Sequence, residues 1–123
     1  MKKNKIILAC LLLCVTSTLS MADATQKIRE YHKAMVKLEK KTVKALDTCH
    51  EESTCVATQY ESFVQKRNKL VKSKLKITLI HFDRLARKTL NKESTCVKSQ
   101  PSQAQECFKA SDTKTEKIVE SLT

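Results

Sequence analysis

Apolar residues recur through most of this chain at the spacing of a helix. Between residues 25 and 46, two heptad series share one face and predict a first helix, which Asp23 and Gln26 can cap. The polar run from Asp47 to Thr54 is expected to end this helix. The two series are Ile28, Met35, Thr42 and Cys49, and Tyr31, Leu38 and Ala45.

The next periodic stretch is long for so small a protein. It runs from about residue 54 to about residue 93, and a continuous helix of roughly 40 residues would be about 60 Å long. After Pro101, the sequence Ser102 to Gln105 is a good capping box for a last helix, over about residues 103 to 122.

The apolar face of the long stretch changes direction near its middle. At about 100° per residue, the face that includes Phe63 is rotated by roughly 80° from the face that includes Phe82. Two architectures account for this. In the first, the long helix is continuous and the other two helices fold back on its two halves. In the second, the chain turns near residues 68–74 and forms an up-and-down four-helix bundle. The stretch has no Gly or Pro, which favours the elongated three-helix arrangement.

The amino-acid composition predicts the fold class, and the N-terminal residues predict the cellular compartment. The chain has no Gly and one Pro, so it lacks the residues that form tight turns, and we predict an all-α fold. Lysines at positions 2, 3 and 5 precede a short apolar run from Ile6 to Val15, which is typical of a cleavable signal peptide over residues 1–22. Residues 23–123 would then form a single helical domain. We expect export to the periplasm, with secretion as the alternative.

The cysteines support export. Cys10 and Cys14 fall in the signal peptide, and the even number that remains indicates two disulfides in an oxidising compartment. A continuous long helix would hold Cys55 and Cys96 too far apart to form a disulfide. Each of the two disulfides would then close one of the two corners between consecutive helices. A four-helix bundle would leave the pairing open. The predicted corner bonds are Cys49–Cys55 and Cys96–Cys107.

The net positive charge is the sequence feature that indicates most about function. The chain holds 24 Lys and Arg against 13 Asp and Glu, and loss of three signal-peptide lysines leaves 21 against 13, a net charge of +8. Two rows of cations on neighbouring helices would flank one groove and attract an anionic partner. Such a partner is an acidic protein or the lipid or lipopolysaccharide headgroups of an envelope; nucleic acid is disfavoured. The residues are Lys33, Lys37, Lys40, Lys41, Lys44, Lys66, Arg67, Lys69, Lys72 and Lys76.

Enzymatic motifs are scarce. The chain has no Gly-rich phosphate loop, no His-Glu-x-x-His and no nucleophilic Ser elbow, so we expect a non-enzymatic protein without a cofactor or metal. Ile77, Ile80 and Leu85 form an apolar band that the other helices would leave exposed, and we expect it to contact a second copy or a partner. The sequence therefore predicts an envelope binding or scaffolding protein. The alternative is a secreted virulence-type protein that contacts membranes or inhibits an acidic target of a host or competitor.

Overall fold

Helices make up nearly all of the chain. The computed structural model describes the backbone of residues 2–122 and the side chains of residues 24–121. Its four α-helices are α1 (Lys2–Asp47), α2 (Ser53–Leu70), α3 (Leu79–Ser99) and α4 (Ala104–Leu122). The predicted all-α class is confirmed. The predicted signal peptide, with Cys10 and Cys14, lies outside the residues whose side chains are described.

The first corner joins α1 to α2 in five residues. His50 and Glu51 have φ angles of 50° and 64°, the left-handed conformation that ends a helix, and here no glycine provides it. Glu52 then caps α2, because its carboxylate accepts hydrogen bonds from the backbone N–H groups of Thr54 and Cys55 at 3.0 and 2.7 Å. A disulfide between Cys49 and Cys55 closes the corner, as predicted.

The long central stretch is divided. After α2 the backbone makes a wider, π-helical turn over Val71–Leu75, and Lys76 adopts the left-handed conformation with a φ of 57°. Thr78 starts α3 by accepting a hydrogen bond from the N–H of His81 at 3.2 Å. The structure thus differs from the continuous helix that we preferred. It has the turn of the four-helix alternative, placed at residues 76–78 instead of 68–74, because packing outweighs the helix propensity of this stretch.

The second corner joins α3 to α4. One turn of 3-10 helix, Pro101–Gln103, connects them, with Pro at its first position, where a missing N–H costs nothing. A disulfide links Cys96 to Cys107 across the corner, with their Cα atoms 5.8 Å apart. The predicted pairing is therefore present, and two disulfides fit an oxidising extracellular environment.

The bundle consists of two disulfide-linked helical hairpins, α1–α2 and α3–α4. They pack against each other through α1 with α4 and α2 with α3. The Phe63 and Phe108 rings meet at the centre, with centroids 4.6 Å apart. Each fully buried side chain of this size stabilises the fold by about 1.5–3 kcal/mol. In the described part of the chain, no helix is long and apolar enough to span a membrane. The largest fully buried side chains are Phe63, Phe82, Phe108, Leu46, Val56, Val71, Val97 and Val119.

Candidate anion-binding surface

Nine of the ten predicted cations are exposed, and two of them, Lys40 and Lys44, line a groove between α1 and α4. On α1, Lys33, Lys37 and Lys44 fall within about 60° of one another and opposite the buried side of the helix, at about 100° per residue. The first corner turns α2 back alongside α1, and a second group of lysines lies on α2 and in the turn that follows it. We call these nine exposed side chains together the lysine face: Lys33, Lys37, Lys40, Lys41 and Lys44, with Lys66, Lys69, Lys72 and Lys76.

The lysine face carries uncompensated charge. Every one of its nine side chains is exposed, and within residues 24–121 none of them takes part in an ion pair. Like charges held close together repel, and an anionic partner relieves that repulsion. The helix α4, which packs against α1, has four acidic residues against three lysines. Among the described residues, α1, α2 and α3 each carry more cations than acids, whereas α4 carries more acids than cations.

Arg67 does not belong to this surface. Its side chain is 4% exposed, and its Nη1 donates a hydrogen bond to the Glu93 carboxylate at 2.6 Å. The Tyr60 hydroxyl donates to the same oxygen of Glu93 at 2.7 Å. The prediction that placed Arg67 among the exposed cations is corrected: Arg67 continues the apolar series Val56, Tyr60, Phe63 at helical spacing, and that spacing takes it into the core.

The buried Arg67 is held in its charged form by its surroundings. Burial lowers the pKa of Arg67, but the charge and hydrogen bond of Glu93, together with Tyr60 and Tyr31, raise that pKa above its usual value, so the guanidinium keeps its proton. The guanidinium also lies over the Phe63 ring, 5.0 Å from its centroid. Burial raises the pKa of Tyr60 well above its usual range, and the Glu93 charge adds to this effect. Tyr60 therefore stays a hydrogen-bond donor.

A second polar group lies between α1 and α4. Glu39 and Asp112 line a groove of about 460 Å³ there, together with Phe108. Burial and the neighbouring Asp112 carboxyl group raise the pKa of Glu39 to about 9, and burial raises the pKa of Asp112 as well. At neutral pH the two carboxyl groups share a proton. No sequence motif indicated this pair, because 73 positions separate residue 39 from residue 112.

The carboxyl pair predicts a pH effect on stability. The pKa of Glu39 is about 9 in the folded chain and near 4.5 in an unfolded one, so only the unfolded chain releases this proton between those values. The free energy of unfolding is expected to fall as pH rises through that window. Glu39→Gln should give a shallower fall, measured by urea denaturation at pH 5 and pH 8. The exposed control Glu106→Gln should keep the wild-type slope; an unchanged slope in Glu39→Gln would contradict the assignment.

The three residues of the predicted apolar band differ in exposure. Ile77 is half-buried and packs against the core. Ile80 and Leu85, both on α3, are 75% and 45% exposed. A contact with a second copy or a partner stays a prediction for these two side chains.

The described residues contain no group of three or more His, Cys, Asp or Glu side chains that could hold a metal ion.

Comparison with known proteins adds no relative. No protein-family model, curated protein or solved structure matches the chain.

Proposed function

We propose that this chain is an exported, non-enzymatic binding protein of the cell envelope, whose lysine face holds an anionic surface. The observation that supports the proposal is a set of nine exposed lysines on α1, on α2 and in the turn that follows α2, none of which forms an ion pair with a described side chain. The single arginine of the predicted set is used inside the fold, where it is paired with Glu93. Among these ten cations, the exposed charge is therefore that of lysine ammonium groups, while Arg29, Arg84 and Arg87 are exposed elsewhere.

The choice of lysine favours a surface with many headgroups over one specific anion. A lysine ammonium is a compact point charge on a flexible stem, whereas arginine offers a rigid, bidentate fork for one carboxylate or phosphate. A row of lysines suits a layer of anionic groups that have no fixed geometry. Lipid or lipopolysaccharide headgroups form such a layer, and each lysine near one contributes about 1 kcal/mol of binding.

Export supports the same assignment. The two disulfides need an oxidising compartment to form and persist, and the N-terminal pattern of the sequence predicts a cleaved signal. Both features support a location outside the cytoplasm, where envelope headgroups are available. Fractionation of the producing cells tests the location: retention in the envelope supports the proposal, and recovery only from the culture medium favours the secreted alternative.

Vesicle sedimentation tests the partner class. The disulfide-bonded mature protein is expected to sediment with phosphatidylglycerol vesicles in 10 mM salt and to be released in 1 M salt, because the screening length falls from about 30 Å to about 3 Å. It should not sediment with phosphatidylcholine vesicles at either salt concentration. Equal binding to both lipids, or binding that persists in 1 M salt, would contradict an electrostatic surface contact. Capture of an acidic envelope protein without vesicle binding would assign the lysine face to that protein class.

A further inference from the structure

The chain connects its two hairpins through one short turn. After α2 comes the π-helical turn Val71–Leu75, and residues 76–78 then lead directly into α3. Each hairpin is closed by its own disulfide, and neither of these two disulfides crosses from one hairpin to the other. The hairpins could therefore separate at the turn with both disulfides intact.

The turn holds one residue in an unfavourable backbone conformation. Lys76 has φ and ψ angles of 57° and 36°, in the left-handed region, where the Cβ atom of a residue lies too close to a carbonyl oxygen. The chain from residue 53 to residue 99 contains no Gly or Pro, so local preference favours one uninterrupted helix across the turn. If residues 76–78 became helical, the unfavourable conformation of Lys76 would be removed.

The π-helical turn makes such a straightened helix compatible with the core. In an uninterrupted α-helix, the buried face of α3 is rotated by roughly 80° from that of α2. A π-helical turn holds one residue more than an α-helical turn, and the extra residue turns all later positions back by about 100°. The two rotations nearly cancel. With Val71–Leu75 unchanged and residues 76–78 helical, the faces that include Phe63 and Phe82 would lie along one side of a single long helix.

The contacts between the two hairpins can be made equally well by two copies of the chain. The Arg67 guanidinium donates to the Glu93 carboxylate at 2.6 Å, and the Phe63 and Phe108 ring centroids lie 4.6 Å apart. Both contacts join one hairpin to the other. Because α2 and α3 are antiparallel, two straightened helices that lie side by side in opposite directions would bring α2 of each copy beside α3 of the other. Each hairpin would then meet the same surface that it meets in the single chain.

We propose that two copies of this chain associate by exchanging hairpins, with the turn at residues 76–78 opened into helix. The α1–α2 hairpin of each copy then packs on the α3–α4 hairpin of the other, and Arg67 pairs with Glu93 of the partner subunit. Only the turn changes conformation, so the dimer keeps the buried contacts and loses the left-handed residue in both copies. The competing arrangement is a contact between unopened chains through the exposed Ile80 and Leu85.

Refolding at high concentration tests whether the exchange occurs. The mature protein is unfolded in urea with its disulfides intact, refolded at about 1 mM, and analysed by size exclusion with light scattering. Dimers are expected, because the second copy replaces the contacts of the chain's own hairpin and association rises with concentration. A protein that is entirely monomeric after this treatment would overturn the proposal.

A distance within one chain separates the exchanged dimer from a contact between unopened chains. Glu61 and Lys98 are exposed and line the same groove between α2 and α3 in the single chain. Spin labels are attached at these two positions without using cysteine, and the labelled chain is diluted into unlabelled protein before refolding. In the isolated dimer the labels should lie about 55 Å apart, the length of a helix between these positions at about 1.5 Å per residue. A dimer that keeps the short distance of the monomer would overturn the proposal.

The variant Lys76→Gly should weaken dimerisation by about a hundredfold or more, measured by sedimentation equilibrium. Glycine adopts the left-handed conformation without strain and is a poor helix former, so in both copies it favours the turn over the helix. The control Lys88→Gly makes the same substitution at an exposed position of α3, which is helical in both forms, and should leave the dissociation constant of the dimer unchanged. A wild-type dissociation constant in Lys76→Gly, or an equal increase in the two variants, would overturn the proposal.

Discussion

Replacing Glu93 by alanine is expected to destabilise the bundle by about 3–5 kcal/mol, the usual cost of leaving one partner of a buried ion pair unpaired. The side chains of Arg67 and Glu93 are only 4% and 2% exposed, so solvent cannot take over the lost interaction. The Tyr60 hydroxyl would lose its acceptor in the same step. Urea denaturation, followed by helical circular dichroism, measures the loss. A change below about 1 kcal/mol would contradict the buried pair, since that is the range of an exposed one.

An exposed ion pair in the same protein provides the control. Arg87 and Asp83 are 69% and 51% exposed, so Arg87→Ala should cost less than about 0.5 kcal/mol. A triple variant, Tyr60→Phe with Arg67→Met and Glu93→Leu, removes all three polar partners together. It should recover most of the stability that Glu93→Ala loses, because apolar replacement of a whole buried pair is often neutral or stabilising. If the triple variant is as unstable as Glu93→Ala, then the loss of the hydrogen bonds among Tyr60, Arg67 and Glu93, and not the unpaired charge of Arg67, accounts for the destabilisation.

Local signals in the sequence were enough for the helical class and the cysteine pairing. With no Gly and one Pro, the chain favours helices throughout, and each disulfide joins cysteines that flank a single corner. The same pairing formed although the central helix is divided. The corner geometry therefore decided the bonds, and the continuity of that helix did not.

The central turn could not be placed from local signals. Lys76 adopts a left-handed conformation where glycine would ordinarily be expected, and Thr78 is one of many capping residues in the chain. The turn lets α3 fold back beside α2, which buries Phe82 on the side of Phe63 and Phe108. The burial of Phe82 depends on contacts between distant parts of the chain, and local helix propensity carries no information about those contacts.

Arg67 was misplaced for a different reason. Its charge suggested the surface, although its position seven residues after Tyr60 and four before Val71 places it on the buried face of the helix. The partner that makes burial tolerable, Glu93, is 26 positions away. Helical spacing gave a signal for the burial of Arg67, but the sequence offered none for its pairing.

Reversing four charges of the lysine face is expected to abolish vesicle binding. In the variant Lys37→Glu, Lys40→Glu, Lys69→Glu and Lys72→Glu, four contacts of about 1 kcal/mol each are lost, which corresponds to a weakening of about a thousandfold. Repulsion between the new carboxylates and the headgroups adds to that loss. All four side chains are exposed, so helicity and the urea midpoint should change little. Sedimentation with phosphatidylglycerol vesicles in 10 mM salt measures the effect.

The most direct test of the lysine face compares that variant with a matched one on the other side of the bundle. Lys88→Glu, Lys92→Glu, Lys114→Glu and Lys117→Glu change the net charge by the same amount, also at exposed positions, on α3 and α4. In the same assay the lysine-face variant should fail to sediment, while the matched variant keeps most of its binding. Equal losses in the two variants would contradict the account, because net charge alone would then explain the binding.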